Sequence, residues 1–409
     1  MRIAIVNPIM TTMTTSGLFL ALNKNNNMPP RTDDDNMMVD MAKCIAALGH
    51  EVTVFASDFY KPLSSVSDTI PGVRVVYLPT KLRAAFHPAY IPFIPHLYRR
   101  IRDGGYAVVQ CEEFLQWGTI LAAMASSQQS TRLVIWHELS IRQRFPGNLV
   151  QYVYANTLGK IIARKTAMFV PRAWAAIDYL ENRGIPSTKI GPVIHKVVNT
   201  DVFFPINDKS ALKQQLGLDP HCFVILSVGR LVAYKGHRYL LLALCKILEK
   251  HPDTRLFIIG DGSEKTGLFE FIKGLGVERN ATLVDAVPKH ELAKYYNAAD
   301  LMALPSSEKE LFPNFASLES LACGTPVIFS KPRGEREMGG DGFCGYYVPF
   351  GDVEQLTRRI LELVENPQRR IDMSRAAIRL VRSEYDMRVI ARKWIEVYES
   401  LAPIVSVKS

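Results

Sequence analysis

Two short stretches hold the residues whose types and spacing could do chemistry. In "ILSVGRLVAYKGH" an apolar run ends at Gly229, and Arg230 and Lys235 follow on the connection to a helical pattern. Two cations fixed at the carboxyl end of a strand suit a diphosphate. A solvated loop between strand and helix is the alternative if this stretch is taken alone. In "SSEKELFPNFASLESLACGTPVIFS", Ser306–Ser330, a strand gives way to a loop carrying Glu310 and then to a helix carrying Glu319. Pro313 or Asn314 stands near the first turn of that helix and Gly324 at its stop. Amides at such a helix start favour phosphate or sugar oxygens, and carboxylates accept hydrogen bonds from vicinal hydroxyls. Glu319 is flanked by Leu318, Leu321 and Ala322, so it is expected to be buried and to need a partner.

Further candidates are scattered. His137 closes the run "VIWH", a place that fits either a satisfied loop histidine or a functional one. The acidic run Asp33, Asp34 and Asp35 could hold a metal, but it reads better as the start of the helix near Asn36. No other acidic cluster or histidine pair has ligand spacing, so no metal is implied. The stretch "KLRAAFHPAYIPFIPHLYRRIRDGGY" interleaves Arg83, Arg99, Arg100 and Arg102 with Phe86, Tyr90, Phe93 and Tyr98. It reads equally as an interfacial membrane patch or as a proline-broken loop feeding an amphipathic helix. The connection over residues 10–35 contains Gly17 and is long for a structureless loop, which suggests a substrate-covering or mobile role.

The elements that must position these residues alternate. In the first half, strands are expected at Arg2–Asn7, Glu51–Ala56, Val73–Leu78, Ala107–Gln110, Arg132–His137 and Met168–Pro171, with helices such as Met37–Leu48 and Trp117–Ala125. The second half repeats the rhythm. Strands are expected at Phe223–Val228, Arg255–Gly260, Thr282–Asp285, Leu301–Leu304 and Pro326–Ser330, with helices over about 237–250, 263–275, 289–299 and 315–323. This is the pattern of two doubly wound parallel sheets, which bind ligands at the carboxyl ends of their strands. The boundary is expected near residue 205, giving domains 1–205 and 206–386. A helix in 387–409 would pack back on the first domain.

The chain of 409 residues is too long for one ordinary core. Its hydrophobic content of 48% with 22% charged residues is that of a globular protein. The six cysteines form no C-x-x-C pair, which argues against a zinc site or disulfide framework and fits a reducing cytoplasm. No run of about 18 apolar residues marks a membrane span. Residues 1–205 hold 21 Lys+Arg against 14 Asp+Glu, a net +7, and the remainder 28 against 26, a net +2. That bias could attract nucleic acid, anionic lipid or a phosphorylated small molecule.

Taken in order, "MRIAIVNP", "ALGHEVTVFAS", "VVNTDVFFP", "SVGRLVAYKGH", "IIGDG", "YYNAADLMALPS", "LESLACGTPVI" and "GYYVPFGD" resemble the retaining glycosyltransferases of family 4 over nearly the whole chain. The resemblance implies an α/β GT-B fold, two Rossmann-like doubly wound domains facing a central cleft, the second binding the nucleotide sugar. It implies transfer of a hexose from a nucleoside diphosphate sugar, a UDP- or GDP-hexose, to a sugar or lipid-linked acceptor in glycoconjugate biosynthesis. No separate cofactor, metal or nucleic acid enters. By the same resemblance Arg230 and Lys235 hold the diphosphate beside Gly229, and Glu319 holds the ribose hydroxyls. Glu310, with Phe312, Pro313, Asn314 and Phe315, holds the transferred sugar, and His137 faces the donor. Gly17 belongs to the donor loop, and Val287 in "VDAVPKHEL" to the base site. The protein is expected in the cytoplasm, with peripheral contact to the inner face of the membrane through the basic first domain.

Three departures from the family pattern matter. Eight residues separate Glu310 from Glu319 where the family has seven, which leaves Glu308 as an alternative sugar-facing carboxylate. The glycine-rich turn after the first strand is reduced to Gly17, and Val197, Val198 and Asn199 stand where the family carries Gly-Val-Asp. The rivals are an epimerase or phosphorylase of the same fold and a basic nucleic-acid binder. A dinucleotide oxidoreductase is disfavoured because no G-x-G-x-x-G follows the first strand.

Overall fold

The computed structural model describes residues 1–7, 37–58, 64–82, 92–114, 116–127, 130–138, 152–154, 156–307, 310, 313–330 and 340–401. Gly17, Asp33, Asp34, Asp35, Arg83, Phe86, Tyr90, Glu308 and Phe312 lie outside them. The chain divides into two units, one holding 31–195 and 387–409 together with the first strand, the other holding 196–386.

The first unit is built on a seven-stranded sheet. Its strands are β1 (Arg2–Val6), β2 (Glu51–Asp58), β3 (Ser65–Ile70), β4 (Val73–Pro79), β5 (Val108–Glu112), β6 (Arg132–His137) and β7 (Thr166–Pro171). The order is β3-β4-β2-β1-β5-β6-β7, parallel except for β3, which runs antiparallel to β4 at the edge. Helices α1 (Met37–Ala47), α2 (His96–Arg102), α3 (Trp117–Ser126), α4 (Leu158–Lys165) and α5 (Trp174–Glu181) accompany it. Strand interiors such as Ile3, Ala4, Ile5 and Val6 are buried, as a parallel sheet covered by helices requires. Among the described residues of the arginine-rich stretch, α2 is amphipathic: Leu97 and Ile101 are buried, and Arg99 and Arg100 are exposed.

The second unit carries α6 (Lys209–Gln215), then β8 (Val224–Val228), α7 (His237–Leu248), β9 (Arg255–Ile259), α8 (Lys265–Leu275), β10 (Ala281–Val284), α9 (Lys289–Ala298) and β11 (Leu301–Leu304). After these come α10 (Phe315–Ala322), β12 (Val327–Ser330), β13 (Gly345–Val348), α11 (Val353–Glu365) and α12 (Pro367–Leu380). The all-parallel order is β10-β9-β8-β11-β12-β13, reversing between β8 and β11. One core packs α7, α8 and α11 against Ile225, Leu256, Ile258 and Ala303. The other packs α9, α10 and α12 against Val224, Leu226, Met302 and Leu304. Neighbouring strand residues thus feed opposite cores, and the connection after β8 leaves toward one face while that after β11 leaves toward the other.

The second unit begins at Lys196 rather than near residue 205. Val198 bridges to Asp386, Thr200 bonds its carboxylate, and Phe203 sits in the α9–α10 core against Tyr296. Pro205 therefore ends a segment already committed to the second sheet.

The last helix, α13 (Met387–Leu401), belongs to the first unit, where it lies against α1. Trp394 is fully buried, edge-on to Trp136 of β6 at 5.5 Å and stacked on Tyr398, whose hydroxyl donates to Oε1 of Gln110. Trp394→Ala is expected to cost the first unit about 3–5 kcal/mol. Hydrogen exchange in β5 and β6 checks it; undiminished protection would show that α13 contributes nothing to that core.

Candidate functional site

The reversal of strand order between β8 and β11 is where an open α/β sheet offers a crevice. Gly229–Lys235 leave β8 there, and Pro305, Ser306 and Ser307 leave β11, with Glu310, Pro313 and Asn314 following. The two connections are tied. Ser307 N–H donates to the Tyr234 carbonyl at 2.7 Å, and Nζ of Lys235 lies 2.8 Å from Oε2 of Glu310. Both side chains of that pair are largely buried. Burial pulls the Lys235 ammonium below its ordinary range, and the Glu310 charge works against that pull. The other Glu310 oxygen, Oε1, accepts from Nδ2 of Asn314 at 3.1 Å.

Asn314 thereby does two things. It caps α10, its Oδ1 accepting from the Ser317 N–H at 2.8 Å while Ser317 Oγ accepts from the Asn314 N–H at 3.2 Å. It also fixes Glu310 beside the helix start. Pro313 is buried there, and the partly exposed Phe315 ring lies 5.3 Å from Nζ of Lys196.

The turn after β8 is shaped by groups whose roles the sequence did not disclose. Gly236 has φ +74°, and a Cβ on it would stand 2.1 Å from the Pro305 carbonyl oxygen, so only glycine fits between the two connections. His237 is buried, its Nδ1 3.2 Å from Ser227 Oγ and its Nε2 3.3 Å from the Arg230 carbonyl. A carbonyl can only accept, so Nε2 carries the proton and Nδ1 accepts from the serine. Burial holds this ring neutral, its pKa pushed down to about 4. The Arg230 guanidinium donates from Nη2 to the Tyr234 hydroxyl. Gly229 lies against the Lys235 side chain, where a Cβ would make only ordinary contact with Nζ at 3.6 Å.

Glu319 lies one face further along α10 and accepts from the Tyr296 hydroxyl at 2.9 Å. Desolvation raises its carboxyl to about 7, with Tyr296 and more distantly Lys289 opposing. Val287 lies half-buried on the connection from β10 to α9, against the same core.

His137 belongs to the first unit, and its surroundings at the ends of β5, β6 and β7 form a second charged cluster. Nδ1 stands 3.2 Å from Oε2 of Glu113, off the hydrogen-bond line, and the ring is 1% exposed. Glu113 adopts φ +68°, a left-handed conformation that costs a non-glycine residue on the order of 1–3 kcal/mol. Its bonds hold it: its N–H donates to Trp136 O at 3.1 Å, its carbonyl accepts from Thr119 Oγ1 at 2.7 Å, and Oε1 accepts from the Glu138 N–H at 2.8 Å. Burial alone would raise its carboxyl, but His137 and Arg172 hold it below the usual range. Arg172 is buried, donates to Glu138 at 3.0 Å, lies 3.6 Å from Glu112 and stacks 3.9 Å over Trp136. Glu112 is pushed up to about 7 by burial. Among the described residues no group of three or more His, Cys, Asp or Glu is placed to hold a metal, and no helix is long and apolar enough to cross a membrane.

Two Rossmann-like parallel-sheet units, the second with a cation–carboxylate pair at its switch point, are the architecture of the GT-B fold. The comparisons agree: residues 35–202 match Glycosyltransferase Family 4 and residues 208–380 match Glycosyl transferases group 1. The chain belongs to glycosyltransferase family 4, a family of retaining hexosyltransferases. It is 30% identical to the D-inositol 3-phosphate glycosyltransferase of Thermobispora bispora over 88% of both chains. The same-named protein of Segniliparus rotundus is 34% identical over 46% of this chain, a stretch covering 42% of that protein, so the match spans less than half of that relative. Among solved structures, Anabaena HepE in complex with UDP has a TM-score of 0.71 at 18% identity, with 98% of this chain and 100% of that one covered.

A carboxyl raised on folding leaves a pH signature. Glu319 in the unfolded chain ionises near 4.5, whereas in the fold it keeps its proton to about 7. Between those values the native state binds the extra proton, so stability falls as pH rises. Glu319→Gln keeps an acceptor for Tyr296 but cannot ionise, and is expected to flatten the decline between pH about 4.5 and 7 relative to wild type. Denaturant titrations at pH 5 and 7.5 check it; parallel wild-type and variant curves would show that Glu319 is solvated.

Proposed function

We propose that the protein transfers a hexose from a nucleoside diphosphate sugar to an acceptor hydroxyl with retention of anomeric configuration. The observation that carries this reading is the convergence of Arg230, Lys235, Glu310 and the Asn314-capped helix start at the β8/β11 switch point. Diphosphate charge developing on the leaving group meets two cations and the amides of a helix start, and such fixed donors stabilise it without reorganisation. Glu310 keeps Lys235 charged and in place, and each of its oxygens retains a second lone pair for a sugar hydroxyl. Glu319 accepts from the ribose, and Val287 lines the base. No enzymic nucleophile is assigned; the departing phosphate takes the acceptor proton.

UDP is bound by HepE, and a Mycolicibacterium smegmatis relative, 31% identical over 42% of this chain, is a GDP-mannose-dependent mannosyltransferase. Both bases therefore stay in the reading. The first unit holds the acceptor, and the exposed Arg99 and Arg100 on α2 offer a surface for an anionic membrane if that acceptor is lipid-linked.

The test is thermal unfolding against UDP, GDP, ADP and their hexose conjugates, followed by turnover with whichever stabilises. A ligand at a hundred times its dissociation constant adds about 2.7 kcal/mol. One base is expected to raise the midpoint, with the gain lost in Glu319→Ala. Arg230→Ala is expected to lower the rate about 10²–10³-fold. Full turnover by that variant would remove Arg230 from the diphosphate site.

A further inference from the structure

The first sheet, read without its antiparallel edge strand, has the order β4-β2-β1-β5-β6-β7, the same winding as the second. Its reversal lies between β1 and β5, and the residue that leaves β5 there is Glu113. A glutamate is an expensive choice for a left-handed position that glycine or asparagine would fill more easily. What the glutamate gains is reach. The kink brings one carboxylate to two consecutive residues of the neighbouring strand end: Oε1 to the Glu138 N–H and Oε2 to the His137 ring.

From this geometry we infer that Glu113 is a positioning residue for the transfer reaction, holding His137 in the tautomer whose Nε2 accepts a hydrogen bond from a sugar hydroxyl. An ionised carboxylate can only accept, so the nitrogen facing it, Nδ1, carries the ring proton and Nε2 keeps its lone pair. Both ring nitrogens are buried and neither makes a hydrogen bond of good geometry among the described residues, but Nδ1 has the Glu113 carboxylate at 3.2 Å whereas no ion pair or hydrogen bond reaches Nε2. A buried acceptor of that kind calls for a donor. Tyr179, with its ring 5.3 Å away, and the Arg172 N–H bonded to the His137 carbonyl at 2.9 Å fix the ring plane and the strand end. Arg172 makes its close contacts with the other two carboxylates, Glu112 and Glu138, and reaches Glu113 only at longer range, so the contact of Oε2 is with the histidine.

The inference rests on the proposed reading of His137 as substrate-facing, and its test separates the two. Nitrogen NMR of imidazole-labelled protein, with His137 identified by the signal missing in His137→Gln, reports the tautomer without any substrate. The Nδ1–H form is expected in the wild type and a changed population in Glu113→Gln, whose amide offers one acceptor atom where the carboxylate has two, one for the Glu138 N–H and one for the ring. The Nε2–H form in the wild type would overturn the proposal whatever the enzyme's activity. With the donor found by thermal shift, Glu113→Gln and His137→Gln are each expected to lower kcat about tenfold to a hundredfold, the worth of a charge-assisted hydrogen bond. The double variant should lose no more than the worse single one, and nucleoside diphosphate binding should be unchanged in all three. Losses that multiply in the double variant, or full kcat in Glu113→Gln, would overturn it. Absence of sugar transfer by the wild type would instead remove the functional reading and leave the tautomer result standing.

Discussion

The 2.8 Å contact between Lys235 and Glu310 is the interaction on which the site depends. The connections after β8 and β11 depart for opposite faces of the sheet, and nothing in the winding itself makes them meet. The ion pair, the Ser307–Tyr234 hydrogen bond and the close passage of Gly236 under Pro305 bring them together. Burying two charges is costly, and a greasy pair of equal volume would often hold the loops as well. Charge at this place is therefore better understood through what it presents than through stability. A cation held in place by a carboxylate, next to Arg230 and a capped helix start, is a fixed set of hydrogen-bond donors in largely buried surroundings.

The first unit repeats the winding with a different chemistry at the reversal. In place of a cation held by one carboxylate it has a histidine and an arginine among three glutamates, all at strand ends. The backbone there is strained at Glu113, whereas at the second switch point the left-handed position is a glycine. Strain is retained where the side chain has work that glycine could not do. The same topology thus supplies a place, and residue chemistry decides what the place holds.

Much of the second unit was legible because its strands are short apolar runs bounded by turn residues: β8, β9 and β11 lie where the runs put them, and α10 begins one residue after the Asn314 that could cap it. The edge strand β3, "SVSDTI", was not, since it is polar and alternates burial at a sheet margin. Nor was β13, because four residues beginning with glycine carry little periodic signal. The domain boundary was placed by Pro205, a local punctuation mark, while the actual division is set by Val198 pairing with Asp386, a contact far away in sequence. Partners behaved the same way. The need of Glu319 for one could be read from its apolar flanks, but that it is Tyr296, on another helix, could not. The cluster of Glu112, Glu113, Glu138 and Arg172 left no local trace, since parallel strands bring their ends together only after a full crossover.

The two carboxylates of the second unit differ in a way that bears on how they divide their labour. Glu310 faces an ammonium and an amide, both donors. Glu319 accepts from a phenol, with Lys289 acting from further off, in surroundings that lift its carboxyl to about 7. A ligand that donates two hydroxyl hydrogen bonds to Glu319 would favour its ionised form, so part of the binding energy goes into displacing a proton. Such a carboxylate discriminates: a ligand offering one hydroxyl recovers less of that cost than one offering a vicinal pair. On the proposed reading this is the difference between a ribose and a deoxyribose, and it arises from the placement of Glu319 in the α9–α10 core rather than from any additional contact.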